Sequence, residues 1–252
     1  MIVRTEQIES LASISFENEM VRHFQEFAPR LAEVIGEPSV RHTVKLSVDR
    51  ATGWGFTNRG PLRFYLESMI ALGSDFDTDP QLPWAAAILE DSTIADQMDR
   101  ADRLYQQMHE YYQKVMGPGN EYGIEALRRM AGTKIEDFAA LSGNFEDGTI
   151  ARFRELYPQK CEYVGEPALR TLIRNGVASA QKYSLPGQAG STLMAGMMVA
   201  FGHGVATDSL YPWIRSTLED PRIPTPKDRA KRLYDKLMVY LRQVLANVDG
   251  IK

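Results

Sequence analysis

A single cysteine, Cys161, stands among the 252 residues. No intramolecular disulfide can form, and a zinc cage built from cysteines is excluded. Histidine is almost as scarce. The four are His23, His42, His109 and His203, and none stands in His-x-x-x-His spacing or in a His-Glu-x-x-His helix. Positive charge is not in excess either: the formal net charge of −4 leaves no broad basic field for nucleic acid. The first residues, Met1-Ile2-Val3-Arg4-Thr5-Glu6, show no basic segment leading into an apolar core. No secretory signal is expected, and cytoplasmic residence is. A long hydrophobic run is lacking as well. Residues 183–207 hold no Asp, Glu, Lys or Arg, but Pro186, Gly187 and Gly190 interrupt them, and the continuous apolar part runs only from Leu193 to Phe201. A membrane span needs roughly twenty residues, so none is expected.

Motifs for catalysis or cofactors are missing too. Gly187-Gln-Ala-Gly190-Ser191-Thr192 has the glycines of a phosphate loop but no lysine, and no buried strand precedes it. No Gly-x-Ser-x-Gly elbow occurs, and Cys161 has no base beside it in sequence. Asp75, Asp77 and Asp79 alternate as in a calcium loop, but Pro80 and Ala86 occupy the places of the required Gly and bidentate Glu. No metal, cofactor or catalytic residue is therefore expected. Asp75 and Asp77 read as an acidic loop serving capping and solvation, with a weak metal site or a basic partner as the other reading.

What is present is a repeat. Shifting the chain by 129 residues sets Gly36-Glu37-Pro38 on Gly165-Glu166-Pro167, Thr78-Asp79 on Thr207-Asp208, and Pro83-Trp84 on Pro212-Trp213. Leu89-Glu90-Asp91 falls on Leu218-Glu219-Asp220, and Arg103-Leu104-Tyr105 on Arg232-Leu233-Tyr234. About thirty of a hundred aligned positions are identical, where composition alone gives roughly six. The expectation is two tandem copies of one helical bundle: a first repeat over 1–116, a connecting segment over 117–134 and a second repeat over 135–252.

Helical periodicity runs through both copies. Val40, Val44, Val48 and Ala51 form a stripe matched by Leu169, Ile173, Val177 and Ala180. No stretch alternates with a period of two, so the fold class is all-α, with four or five helices per copy. Asp79 and Asp208 are expected to accept backbone N–H bonds at a turn feeding a helix, which Trp84 and Trp213 anchor by packing.

The uncharged stretch of the second copy is the largest difference between the two. Arg59, Arg63 and Glu67 become Gln188, Thr192 and Gly196, which means that this helix is covered on more sides than its twin. Either the other copy covers it, or a partner does, in a groove formed by Met194, Gly196, Met197, Met198, Ala200 and His203. His203, between Gly202 and Gly204, is the one histidine placed for a special pocket.

Leu72-Gly-Ser-Asp-Phe-Asp-Thr-Asp-Pro80 with Pro83-Trp84, preceded by Phe24-x-x-x-x-Pro29 and Gly36-Glu-Pro-x-Val-Arg41, resembles bacterial helical proteins associated with type VI secretion gene clusters. In that family the pattern occurs once; here it covers nearly the whole chain twice, and the second copy lacks the acidic pair. The resemblance implies an accessory role beside a secreted effector or its spike: adaptor, chaperone or immunity protein. A non-enzymatic, protein-binding function is the expectation. The alternative is an enzyme or secreted toxin whose site is assembled between the copies, for instance from His203 with Asp75 or Asp77.

Overall fold

A computed structural model describes residues 5–138 and 143–250, with side chains from 14 onward except at 249. Residues 139–142, inside the expected second repeat, lie outside the described residues. Helix accounts for nearly all regular structure, and no strand occurs among the described residues. The helices are α1 (Thr5–Phe27), α2 (Pro29–Gly53), α3 (Arg59–Leu72), α4 (Pro83–Glu90), α5 (Gln97–Val115), α6 (Glu121–Gly132), α7 (Phe145–Leu156), α8 (Pro158–Lys182), α9 (Gly187–Phe201), α10 (Pro212–Leu218) and α11 (Pro226–Asp249). The stretch expected to connect the copies contains α6, whose buried Ala126 and Met130 pack into the C-terminal core.

Prolines open several of these helices, at positions whose missing N–H has no intrahelical partner to lose. Pro29 starts α2 and Pro158 starts α8. Pro38 and Pro167 lie further in, just after Gly36 (φ 77°) and Gly165 (φ 75°), where both helices kink. Those φ values belong to glycine. Sequence periodicity predicts the segment after each kink; the turns before it, with exposed Val34 and buried Ile35, are an addition.

The expected stripes face inward. Val40, Val44, Ala51, Leu169, Ile173 and Ala180 are buried, and Val48 and Val177 are half-buried. Arg41 pairs with Glu37 and Arg170 with Glu166, each at 2.8 Å. Arg100 donates to the Trp54 carbonyl at 2.7 Å, and Arg229 to the Tyr183 carbonyl at 3.0 Å. Each arginine ties the start of one long helix to the end of another, satisfying carbonyls that helix ends leave open.

Leu210, from the C-terminal half, inserts into the cluster of Met20, Phe24, Val40, Val44 and Leu66 in the N-terminal half. Gln81 reaches the other way and donates to the Met198 carbonyl at 3.0 Å. The halves interlock.

Candidate functional site

Two tight turns meet at the centre of the molecule. Gly73 ends α3 and Gly202 ends α9, with φ of 104° and 103°. A Cβ on Gly73 would lie 2.7 Å from the Phe201 carbonyl oxygen, and one on Gly202 would lie 3.2 Å from that of Leu72. Only glycine lets the two chains approach so closely. Beyond these turns the halves exchange carboxylate contacts. The Ser74 amide donates to Asp208 at 3.0 Å, and the His203 amide to Asp79 at 2.8 Å. Each aspartate also holds an amide two residues on, Gln81 for Asp79 and Leu210 for Asp208. Both amides precede α4 and α10, so these carboxylates brace the turn before the helix and the junction together. Burial raises the Asp208 pKa, opposed by the hydrogen bonds from Ser74 and Leu210.

Asp77 is not solvated, and Asp75, its side chain 31% exposed, is only partly so. Asp77 is 2% exposed and forms an ion pair with Arg50, which also pairs with Asp75. Asp77 further accepts from the Tyr65 hydroxyl at 2.6 Å and from the Trp54 indole at 2.8 Å. The basic partner of this loop is thus internal, because a buried carboxylate needs a countercharge and full hydrogen bonding. The Asp75 carboxylate packs against Gly204, where a Cβ would collide with it. His203 donates its amide to Asp79, and its Nε2 lies 3.2 Å from Thr78 Oγ1. Arg50, rather than His203, engages Asp75 and Asp77. Among the described residues no group of three His, Cys, Asp or Glu side chains is placed to hold a metal ion.

Of the two covers considered for α9, the chain's own elements supply most of it. Met194, Met197 and Met198 are buried, as is Gly196. A Cβ on Gly196 would sit 3.6 Å from the Phe153 ring and 3.9 Å from that of Phe138, so the turn Ile135–Phe138 and α7 cover this face. Gly176 of α8 lies against Ala195 on another side. At Gly196, the place of Glu67 on α3, the two rings leave no room for a charged side chain, whereas Gln188, the place of Arg59, is exposed. Ala200 and His203 are half-buried.

Sequence reasoning missed a cavity of about 210 Å³ at the junction. Ala71, Leu72, Tyr111 and Val115 line one side, and Ala200, Phe201, Tyr240 and Val244 the other. These residues stand 129 apart in pairs. Lys160 also lines it and donates through Nζ to the Val199 carbonyl at 2.5 Å, one of the acceptors left open at the end of α9. Burial pulls the Lys160 pKa down to about 8, whereas burial pushes the neighbouring Cys161 thiol up to about 11 and leaves it inert. Lys160 carries no motif. The only trace of it in the sequence is the contrast with Leu31, 129 residues earlier.

The lowered Lys160 pKa makes a pH prediction. Between about 8 and the ordinary 10.5 the unfolded chain binds more protons at this site than the folded one, so the Lys160 contribution to stability rises with pH through that window. Urea unfolding of Lys160→Leu beside the parent at pH 7, 8, 9 and 10 should show the parent gaining on the variant. Parallel curves would remove the buried ammonium from the account.

Trp84 and Trp213 are half-buried. Trp84 packs near Tyr111 with ring centroids 6.5 Å apart, and Trp213 near Tyr240 at 5.9 Å. Trp213 also lines an open groove between α2 and α11 with Val34, Val239, Tyr240 and Gln243, edged by the charged Arg232, Asp235 and Lys236. Val34 is 72% exposed and Val239 51%.

No family model, curated protein or solved structure matches the chain. No helix among the described residues is long and apolar enough to cross a membrane.

Proposed function

We propose that the chain is a non-enzymatic, protein-binding accessory protein of the cytoplasm, built from two copies of one helical unit. The duplication is supported by helix starts that recur at the 129-residue offset, Pro29 with Pro158 and Gln97 with Pro226. The matched kinks at Gly36 and Gly165 and the reciprocal contacts of Asp79 and Asp208 support it further. One observation carries the binding role: the groove of Val34, Trp213 and Val239 leaves aliphatic side chains more than half exposed beside an indole. Apolar surface around an aromatic anchor is what partner proteins bury. The role as adaptor, chaperone or immunity protein for a type VI effector or spike follows from the resemblance of the Phe-Asp-x-Asp-Pro segment alone.

Val239→Glu gives this face the residue that the first copy carries at Glu110. In affinity capture from the native cells, that variant should lose the partner about tenfold or more, with its unfolding curve unchanged. Equal capture by parent and variant would sink the reading.

The cavity beside Lys160 favours a second reading, an enzyme or toxin site assembled between the copies, since a lysine with a lowered pKa in a cleft suits proton transfer or nucleophilic work. Lys160→Leu separates the two readings: it spares capture by a binding protein and abolishes function in an enzyme. Growth arrest on expressing the chain alone in bacteria would mark a toxin.

A further inference from the structure

The two tryptophans share a setting, but only one setting is filled. Beside Trp84, the Tyr163 ring packs edge-on to Tyr111 with centroids 5.3 Å apart, and Lys114 Nζ lies 5.9 Å from the Tyr163 ring centre. Tyr163 belongs to the same apolar cluster as Trp84. Beside Trp213 the corresponding residues are Tyr240 for Tyr111, Gln243 for Lys114 and Val34 for Tyr163. All of these line the open groove, so Val34 stands where the other half has its tyrosine. A valine ends at its γ-methyls. It leaves unfilled the space that a six-membered ring takes up on the other side. Val239 adds an apolar wall where the first half has Glu110 tied to Lys114 at 2.6 Å.

We propose that the groove of Val34, Trp213 and Val239 docks one aromatic side chain, tyrosine or phenylalanine, presented by a partner protein. The ring seats against Trp213 and Tyr240 as Tyr163 seats against Trp84 and Tyr111. The chain's own other half shows the occupant's chemistry, and edge-to-face contact between rings favours it over an aliphatic side chain. This rests on the protein-binding reading and on the matched halves, and it adds what the partner must supply.

The test uses the full chain labelled at its three indoles, with 4-methylphenol as the probe. The Trp213 signal, identified by its loss in Trp213→Phe, should shift and saturate at concentrations on the order of millimolar, the range one ring can reach. The Trp54 and Trp84 signals should stay still. Val34→Tyr places a ring from the chain itself in the groove, and because Val34 is exposed the fold tolerates it; the probe should then bind at least tenfold more weakly. Tyr163→Val should open the other groove, so that the Trp84 signal begins to respond. An unmoved Trp213 signal, or an equal shift in Val34→Tyr, overturns the proposal. Partner capture that survives Val34→Tyr overturns it too, as does self-association of the parent that Val34→Tyr abolishes, which would assign the groove to a second copy. The probe needs no partner, so probe binding without any capture sinks the accessory role alone.

Discussion

Asp77→Ala should destabilise the folded chain by roughly 3–5 kcal/mol, the range for removing one member of a buried ion pair. Asp77 answers the Arg50 guanidinium, the Tyr65 hydroxyl and the Trp54 indole together. Without it Arg50 keeps only Asp75, the half-buried Trp54 indole loses its acceptor, and the buried Tyr65 hydroxyl is left without one. An unpaired buried donor costs more than a made hydrogen bond contributes. At the 129-residue offset the chain carries no charge at these places, with Ser179 for Arg50, Ala206 for Asp77, Gly204 for Asp75 and Met194 for Tyr65. Adding Arg50→Ser to Asp77→Ala removes the stranded cation and should recover a large part of the loss. Urea unfolding of the parent, both single variants and the double variant forms a complete cycle. If Asp77→Ala costs less than about 1 kcal/mol, or if the double variant loses the sum of the singles, the network is not the coupled unit its geometry describes.

That network also marks the limit of what the sequence makes legible. Local patterns carried over well: the stripes of Val40, Val44 and Ala51 and the all-helical class follow from spacing and from proline and glycine placement. The carboxylates of Asp75 and Asp77 did not. Their partner lies about 25 residues back on α2, and only the folded turn brings it near. The uncharged face of α9 was legible as covered, but part of the cover, beside α7 and α8, is the turn Ile135–Phe138, from a segment with no apolar periodicity of its own. A usable signal existed in the differences between the two halves. Arg50, Trp54, Tyr65, Asp75 and Asp77 all change type at their matched positions, as expected of residues that touch one another. Lys160 stands alone as a difference, and a lone difference in sequence does not say whether it fills a space or leaves one open.

Gly73→Ala should be the most damaging of the small substitutions, at roughly 3–5 kcal/mol, and comparison with Gly36→Ala shows why. The two glycines share a backbone region, φ 104° and ψ 150° for Gly73, φ 77° and ψ 160° for Gly36. An alanine there costs about 1–3 kcal/mol in strain at either place. At Gly36 the added methyl would meet only Pro38 Cδ, at 3.8 Å, so strain is the whole cost. At Gly73 it would meet the Phe201 carbonyl oxygen at 2.7 Å, and backbone in a helix end cannot step aside as a side chain can. The displacement pulls the Ser74 amide from Asp208, leaving a buried carboxylate with fewer donors. Gly202→Ala is the same injury seen from the other half, milder because its nearest backbone atom is 3.2 Å away. Urea or thermal unfolding should rank the three as Gly73→Ala worst, Gly202→Ala next and Gly36→Ala least. If Gly73→Ala and Gly36→Ala cost the same, only backbone strain is felt, and the close approach of the two halves contributes nothing to holding them together.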